Sequence, residues 1–342
     1  MKNLHAPYRS AVTGWLVRCL TVLLLLTNAA LAGDSLPSWN NTAPKQAIIR
    51  FVELVSTPGS ADFVAPTERI ATFDVDGTLW SEQPGYAEQA FIYDRIKALA
   101  PQHPEWAQTQ PFKAVLGGDE ATVQAGGAVA ITALTAASRA GDSMEEFAQI
   151  VTAWLSTAQN PKTGRLYTDM VFVPMQELLV FLRNNGFKTY IVSGSGQEFI
   201  RPWAEKLFGI PPEQIIGSVL NSTVEWRNGQ PLVVLLPTSN LVIEGDGKVV
   251  GIDRFIGRRP IAAFGNSDSD MPMLHYAMAG GAGKRFGMLV HHTDAEREVA
   301  YDKDSPVGRL DKGLLQAASN DWTVVDMKSD WKVIFPTEKN SK

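Results

Sequence analysis

Cysteine is almost absent: the only one among the 342 residues is Cys19. It precedes the apolar run of the amino-terminal segment, so a chain cleaved after that segment contains no thiol. The mature chain then has no disulfide, no cysteine nucleophile and no thiolate metal ligand. Such a composition is compatible with an oxidising export compartment, and a bacterial periplasm is the compartment we expect.

Long runs of positive charge, internal repeats and low-complexity segments are also missing. The chain has 31 basic and 36 acidic residues, a formal net charge of −5. Without a basic face to neutralise phosphates, nucleic acid is not an expected partner. The proportions of 45% hydrophobic and 20% charged residues are typical of a folded globular chain of one large or two modest domains.

Residues 1–32 differ from the rest and predict a cleaved signal peptide. Basic residues precede an apolar stretch at 20–26, and the small residues Ala30 and Ala32 stand where signal peptidase prefers them. The apolar stretch is much shorter than the roughly 20 residues of a membrane-spanning helix. We therefore expect a periplasmic or secreted protein with no stable membrane anchor after cleavage.

Three apolar segments that each end in a polar loop predict a parallel α/β sheet. They cover residues 69–74, 187–196 and the stretch from 260. Residues 222–236 predict a β-hairpin with Asn228 and Gly229 at the turn. In such folds the site lies at the carboxyl ends of the strands.

Helices are predicted at 45–57 and at 175–186, with Gly186 as the carboxyl-terminal cap of the second. The block 81–170 is rich in alanine and has a helical pattern with Pro and Gly breaks, so it is predicted to be an insertion. The expected division is a core of 33–80 and 171–342 with the block between them.

The stretch "IATFDVDGTLW" (70–80) places Asp74 and Asp76 at the end of the first predicted strand. Buried carboxylates without partners are costly, so this pair needs a cation or a proton. The turn required by Gly77 can direct the main-chain carbonyl of Asp76 toward a metal. Asp74 is then free to attack an electrophile while Asp76 handles a proton.

The motif Asp74-Val75-Asp76-Gly77-Thr78 resembles the signature of the haloacid dehalogenase superfamily, in its phosphatase branch. The resemblance extends to Ser193 in "VSGSG", to Lys248 in "GDGKVVGIDRF" and to the loop "GNSDSD". It implies a Rossmann-like parallel sheet with helices on both faces, a helical cap formed by 81–170 and a β-hairpin insertion. The hairpin before Lys248 is similar to that of the phosphoserine-phosphatase-like subgroup.

The resemblance also implies roles for individual residues. Asp74 would attack phosphorus to form an aspartyl-phosphate, and Asp76 would protonate the leaving alcohol and later activate water. Ser193 and the amide of Gly194 would bind a phosphate oxygen, and Lys248 would bridge the nucleophile and the phosphate. Catalysis of this kind is mainly positioning and charge neutralisation.

Magnesium is the cofactor that the resemblance implies. Its ligands would be Asp74, the carbonyl of Asp76, and residues of the last loop. Where most members have an aspartate after the glycine, this chain has Asn266. We expect Asn266 and Asp270 to face the metal ahead of Asp268, with less charge than usual at the site.

The substrate is expected to be a small phosphorylated molecule. Thr78 is a predicted substrate contact, and Trp80 either closes over the leaving group or packs beneath the inserted block. If that block is a cap, it determines substrate choice. Candidate contacts within it are Glu82, Tyr86 and Glu88.

Several alternatives stay open at this stage. A phosphotransferase or phosphomutase would use the same aspartyl-phosphate, and Asn266 would also fit a non-catalytic binding protein on a decayed scaffold. A dehalogenase lacks the second aspartate, so Asp76 argues against it. Arg258 and Arg259 are rivals of Lys248, but they stand at the far end of the third strand and predict exposed charges.

Overall fold

The computed structural model describes residues 34–281 and 283–336. The predicted signal peptide at 1–32 lies outside the described residues, so the cleavage site and the compartment stay predictions. In the part of the chain that is described, no helix has both the length and the apolar character that a membrane crossing requires.

Within the described residues, seven strands form one sheet in the order β4-β3-β2-β1-β5-β6-β7. Neighbouring strands are parallel except for β3 and β4, which form an antiparallel hairpin. The strands are β1 (Ile70–Phe73), β2 (Lys188–Gly196), β3 (Ile215–Arg227), β4 (Gln230–Leu241), β5 (Ala262–Gly265), β6 (Phe286–His291) and β7 (Trp322–Asp326).

The helices are α1 (Ala43–Ser56), α2 (Ala87–Leu99), α3 (Phe112–Gly117), α4 (Glu120–Ala125), α5 (Gly127–Ala137), α6 (Met144–Leu155), α7 (Val173–Asn184), α8 (Gln197–Phe208), α9 (Asp246–Ile256), α10 (Met271–Met278), α11 (Lys312–Ala317) and α12 (Met327–Asp330). Short 3₁₀ turns connect several of them, including one at Asp268–Asp270.

Helices cover both faces of the sheet because successive strand residues point to opposite sides. Ile191 of β2 packs into one core cluster with residues of α1, α7 and α8, whereas Val192 belongs to a second cluster with residues of α9 and α10. The four residues of β1 are all buried. The predicted parallel sheet with helices on both faces is confirmed.

The segment 81–170 is helical, as its pattern predicts, and it contacts the hairpin. The amide of Gly141 donates to the carbonyl of Leu235 over 2.9 Å, and the amide of Leu235 donates to the carbonyl of Asp142 over 3.0 Å. Arg227 also donates from its guanidinium to the carbonyl of Gly141. The hairpin and the helical segment therefore face each other above the strand ends.

The hairpin turn is where the sequence predicts it. Asn228 and Gly229 have φ values of 53° and 78°, the left-handed conformation that a tight two-residue turn needs. The strands are longer than predicted, because β3 starts at Ile215 as a buried parallel partner of β2 before it continues into the hairpin. One strand thus joins the core sheet to the hairpin.

Candidate active site

Three polar loops meet at the carboxyl end of the sheet because β1, β2 and β5 are adjacent and parallel. Asp74 follows β1, Ser193 lies near the end of β2, and Asn266 follows β5. The amide of Asp74 donates to the carbonyl of Phe264 over 2.9 Å, which extends the β1–β5 pairing to the aspartate itself. The nucleophile candidate is therefore held by the backbone of the sheet.

Lys248, at the start of α9, reaches into this end of the sheet and is only 1% exposed. Its Nζ donates to Oδ1 of Asp74 over 2.8 Å and to Oδ1 of Asp270 over 2.5 Å. A buried ammonium between two carboxylates is favourable only in close, hydrogen-bonded geometry, and this arrangement provides it. Lys248 thus bridges the signature motif and the last loop.

In this bridge one ammonium group is shared by two buried carboxyl groups. Burial raises the pKa of Asp74 well above its usual value, the charge of Asp270 raises it further, and Lys248 opposes both. Burial lowers the pKa of Lys248, but the charges of Asp270 and Asp74 outweigh it and raise that pKa overall. The lysine stays charged, and additional positive charge would favour the ionised form of Asp74.

Asp76 is oriented by two hydrogen bonds. Trp80 donates from Nε1 to Oδ1 over 2.8 Å, and Ser195 donates from its hydroxyl to Oδ2 over 2.7 Å. Burial raises the pKa of Asp76, although these two hydrogen bonds lower it in part. A carboxyl group that keeps its proton at higher pH than a free aspartate suits a general acid.

Ser195 contacts Asp76 but is not among the site residues predicted from the sequence, although its spacing from Ser193 indicates a shared location. Residues two apart on a regular strand share a face, and Ser193 and Ser195 in "VSGSG" both line the cavity, although the pairing of β2 with β3 is irregular between Val192 and Gly196. Ser193 accepts from the amide of Ser195 over 3.2 Å, which leaves its hydroxyl proton free to donate to a ligand. The side chain of Ser193 is 1% exposed and lines the cavity described below.

The signature turn is fixed from two directions. Gly77 has a φ of 76°, and a Cβ there would lie 2.1 Å from Nδ2 of Asn266, so no other residue fits. His292 lies with Nε2 2.8 Å from the carbonyl oxygen of Gly77 and Nδ1 3.3 Å from Oε2 of Glu298. His292 directly follows β6 and is buried, and its contact with the carbonyl of Gly77 stabilises the turn. Nothing in the local sequence indicates this role.

The two aspartates of the last loop have different surroundings. Asp270 is fully buried, and its Oδ2 accepts from the amides of Asn266 and Ser267, each over 3.0 Å. Asp268 accepts from the amides of Asp311 and Gly313 at the start of α11, over 3.0 and 2.8 Å. Asp268 thus supports a neighbouring helix, whereas Asp270 shapes the loop and holds Lys248.

A cavity of about 560 Å³ opens over the strand ends. Polar residues of the site form one end of it: Asp74, Asp76, Ser193, Gly194 and Lys248. The inserted helices and the hairpin contribute apolar lining, which includes Ile92, Tyr93, Leu134, Val219, Leu220 and Val242. Residues of α8 and of the loops after β5 and before α11 complete the lining. Glu82, Tyr86 and Glu88, the candidate contacts from the sequence, also line it.

Two predicted substrate contacts are placed elsewhere. Thr78 is fully buried and donates to Oδ1 of Asn266 over 3.0 Å. Trp80 is 1% exposed and stacks on Trp203 with ring centroids 4.4 Å apart. Neither lines the cavity. Trp80 packs in the core against Trp203 of α8, which lies outside the inserted block.

The rivals of Lys248 are also away from the site. Arg258 is exposed and lies 3.4 Å from Glu68, also exposed. Arg259 places its guanidinium 3.8 Å from the ring centroid of Tyr276. Since neither lines the cavity, Lys248 is the basic residue in contact with Asp74.

A magnesium ion requires hard oxygen ligands. No group of three His, Cys, Asp or Glu side chains poised for a metal is present in 34–281 and 283–336. The expected ligands include a main-chain carbonyl and an amide oxygen, at Asp76 and Asn266, which are hard oxygen donors of the kind magnesium accepts. With the carboxylate of Asp74 these are the oxygens that would hold the ion. In this structure Lys248 donates to Oδ1 of Asp74, and Thr78 donates to Oδ1 of Asn266.

The paired aspartates after the central strand β1, the buried Lys248 and the cavity beneath the inserted helices form one candidate hydrolase site on a mainly parallel sheet. Comparison with protein families agrees: residues 71–275 match the family described as haloacid dehalogenase-like hydrolase. This is more than half of the chain, and the protein belongs to that family. The predicted membership and the prediction of a hydrolase are confirmed.

Three solved structures with similar folds have low sequence identity to this chain. A protein of unknown function from Bordetella pertussis Tohama I is 15% identical, with a TM-score of 0.46 over 76% of this chain and 99% of that one. A functionally unknown protein from Anaerococcus prevotii is 15% identical, with a TM-score of 0.47 over 73% and 86%. A probable phosphoserine phosphatase from Vibrio cholerae is 15% identical, with a TM-score of 0.36 over 74% and 65%. No curated protein matched the sequence.

Proposed function

We propose that this protein is an exported, magnesium-dependent phosphomonoesterase that hydrolyses small phosphorylated metabolites through an aspartyl-phosphate on Asp74. The observation that supports it most is the bridge from Lys248 to Asp74 and Asp270 at the polar end of the cavity. An ester whose phosphoryl group lies there has its leaving group among the helices and the hairpin.

The residues divide the chemistry between them. Asp74 attacks phosphorus from its carboxylate, and the bond to the leaving oxygen breaks as Asp76 gives that oxygen a proton. Ser193 donates its free hydroxyl proton to an equatorial phosphoryl oxygen, and Lys248 offsets negative charge on the same group. Asp76, now ionised, takes a proton from water that attacks the phosphoenzyme. Magnesium, when bound, neutralises charge on the phosphoryl oxygens.

The function is tested by hydrolysis of an aryl phosphate with purified mature protein. We expect phosphate release in the presence of MgCl₂ and its loss after chelation. Transfer to an added alcohol without release of phosphate would favour the phosphotransferase alternative. Turnover equal to that of the Asp74→Asn variant would favour the non-catalytic binding protein.

Export rests on residues 1–32 alone, so it needs its own experiment. We expect amino-terminal sequencing of protein recovered from the periplasmic fraction to begin directly after Ala32. A full-length chain retained in the cytoplasmic fraction would contradict export but leave the proposed chemistry intact.

Removal of the Ser195 hydroxyl should impair Asp76 as the general acid. Ser195→Ala takes away one of the two hydrogen bonds that lower the pKa of Asp76. We expect kcat to fall about tenfold or more, since a hydrogen bond to a charged group contributes about 1.5–3 kcal/mol. The limb of the pH–rate profile where the acid loses its proton should move to higher pH. Ser156→Ala, at an exposed serine after α6, is the matched control.

The apolar lining of the cavity predicts a preference among substrates. We expect kcat/KM for an aryl phosphate to exceed that for glycerol phosphate by about tenfold or more, since single apolar groups give discrimination of this size. Val219→Thr places a hydroxyl in the half-buried lining without a change in size and should reduce the ratio. Val224→Thr, on the exposed part of the hairpin, should not. An unchanged ratio in Val219→Thr would contradict this placement of the leaving group.

A further inference from the structure

Glu88 lines the cavity, but both of its carboxylate oxygens are engaged within the protein. The residue lies in the first turn of α2 and is 8% exposed. Oε1 accepts from Nη2 of Arg139 over 2.8 Å, and Oε2 accepts from the amide of Gly196 over 2.7 Å. Donors at both oxygens fit an ionised carboxylate, which only accepts hydrogen bonds. Glu88 thus joins the inserted block to the end of β2.

Arg139 supplies the opposite charge from another part of the inserted block. It lies just after α5 and is 1% exposed, so its pair with Glu88 is shielded from solvent. The guanidinium carbon lies 4.8 Å from the ring centroid of Phe147 in α6, and Nε donates to Oγ of Ser138 over 3.3 Å. A buried carboxylate without a partner is costly. Arg139 therefore holds Glu88 in place.

Gly196 is the core residue that makes room for this ion pair. A Cβ there would lie 2.6 Å from Oε1 of Glu88 and 2.7 Å from Nη1 of Arg139. Both distances are shorter than real Cβ contacts, so a larger residue at 196 would displace the pair. The glycine at the end of β2 and the ion pair of the inserted block are therefore complementary in shape.

The end of β2 is not held by regular strand pairing. Its register with β3 shifts between Val192 and Gly196, so that residues 193–195 lie opposite Gly217 alone. An irregular segment of this kind disrupts the ladder of backbone hydrogen bonds. The conformation of the segment therefore depends on side-chain contacts.

Such contacts hold the peptide group on each side of Ser195. On one side, the hydroxyl of Ser218 in β3 donates to the carbonyl of Gly194 over 2.7 Å. On the other side, Glu88 accepts from the amide of Gly196. One contact comes from the core sheet and the other from the inserted block. Together they set the direction in which the Ser195 side chain points.

We propose that the Glu88–Arg139 pair positions the end of β2 and, with it, the serine that orients the general acid. Ser195 donates to Oδ2 of Asp76 over 2.7 Å, so a rotation of the peptide group that follows Ser195 would disturb this hydrogen bond. The role of Asp76 rests on the proposed function, whereas the effect on the end of β2 does not. Both members of the pair are positioning residues, since they act through Ser195.

Hydrogen exchange of the Gly196 amide in the mature protein tests this positioning without reference to activity. Glu88→Gln turns one of the two acceptors into a donor, and Arg139→Met leaves the carboxylate without its partner. We expect exchange at residue 196 to become about tenfold faster or more in each variant, because the charged acceptor is lost or released. Arg139→Lys keeps a charged donor and should exchange within a few fold of wild type.

Asp142→Asn is the matched control, since it breaks a different ion pair of the inserted block. Asp142 lies 3.1 Å from Nη2 of Arg95 and does not line the cavity. The variant should leave both exchange at residue 196 and turnover unchanged.

Steady-state kinetics with an aryl phosphate separate positioning from contact with substrate. In Glu88→Gln we expect kcat to fall about tenfold while KM stays within a few fold of wild type, because the pair acts on the acid and not on binding. Combined with Ser195→Ala, the same substitution should cause little further loss, since the hydrogen bond through which it acts is already absent.

Three results would overturn the inference: unchanged exchange at residue 196 in Glu88→Gln, a raised KM with unchanged kcat, or full additivity of Glu88→Gln with Ser195→Ala. If Arg139→Met does not fold, Glu88→Gln and Arg139→Lys supply the comparison. Failure of the proposed function is a separate observation. A wild type that releases no phosphate from any ester, while the variants still exchange faster at 196, would remove the phosphatase and leave the positioning of β2 intact.

Discussion

Asp74→Asn is expected to reduce phosphate release by on the order of 10⁴-fold or more, because loss of a nucleophile removes the covalent route altogether. An amide of the same shape keeps an oxygen for the ammonium of Lys248, which now lies 2.8 Å from Oδ1. The fold should therefore survive. The check is a steady-state assay together with mass spectrometry of acid-quenched enzyme, where the peptide containing residue 74 carries a phosphoryl group in wild type only.

Asp268→Asn is the matched control, since it changes an aspartate of the neighbouring loop to the same amide. Asp268 accepts from amides at the start of α11 and does not line the cavity, so its substitution should affect stability slightly and turnover little. An adduct on a residue other than 74, or equal losses in the two variants, would contradict the assignment of the nucleophile.

Elements defined by local pattern could be predicted from the sequence. The compact apolar runs predicted β1, β2 and β5. Because these strands are parallel neighbours, Asp74, Ser193 and Asn266 lie together at the carboxyl end of the sheet. The Asn228-Gly229 turn could be predicted because its conformation is a property of those two residues. The family match over 71–275 supports the same arrangement.

The contacts that tune the site could not be predicted, since they join residues far apart in the chain. Glu82 meets Asn266 across 184 positions, and His292 meets Gly77 across 215. Nothing near Glu82 in the sequence shows that an amide will face it, because that depends on where β5 ends in three dimensions. The same holds for Trp80, whose stacking on Trp203 depends on the position of α8. Long-range geometry thus decides which polar residues contact substrate and which contact each other.

Lys248→Met is expected to have the largest effect on stability. The variant leaves Asp74 and Asp270 buried without their shared ammonium, and breaking a buried ion pair by removal of one partner costs about 3–5 kcal/mol. Activity should fall by on the order of 10²–10³-fold, the usual cost of removing one preorganised charge from a phosphoryl or oxyanion site. Chemical denaturation gives the first quantity and the steady-state assay gives the second.

Arg258→Ala is the control for Lys248→Met, since it removes an exposed positive charge instead of a buried one. Arg258 pairs with Glu68 at 3.4 Å, with more than half of each side chain exposed, so its loss should cost less than about 1 kcal/mol and leave turnover unchanged. If Lys248→Met were as stable as Arg258→Ala, the bridge at the carboxyl end of the sheet would not exist in the folded protein. If it were unstable but fully active, Lys248 would hold the loops together without acting on the phosphoryl group. A loss of both stability and turnover in Lys248→Met would show that this ammonium holds the loops together and also acts on the phosphoryl group. Its position between Asp74, Asp270 and the cavity predicts this result.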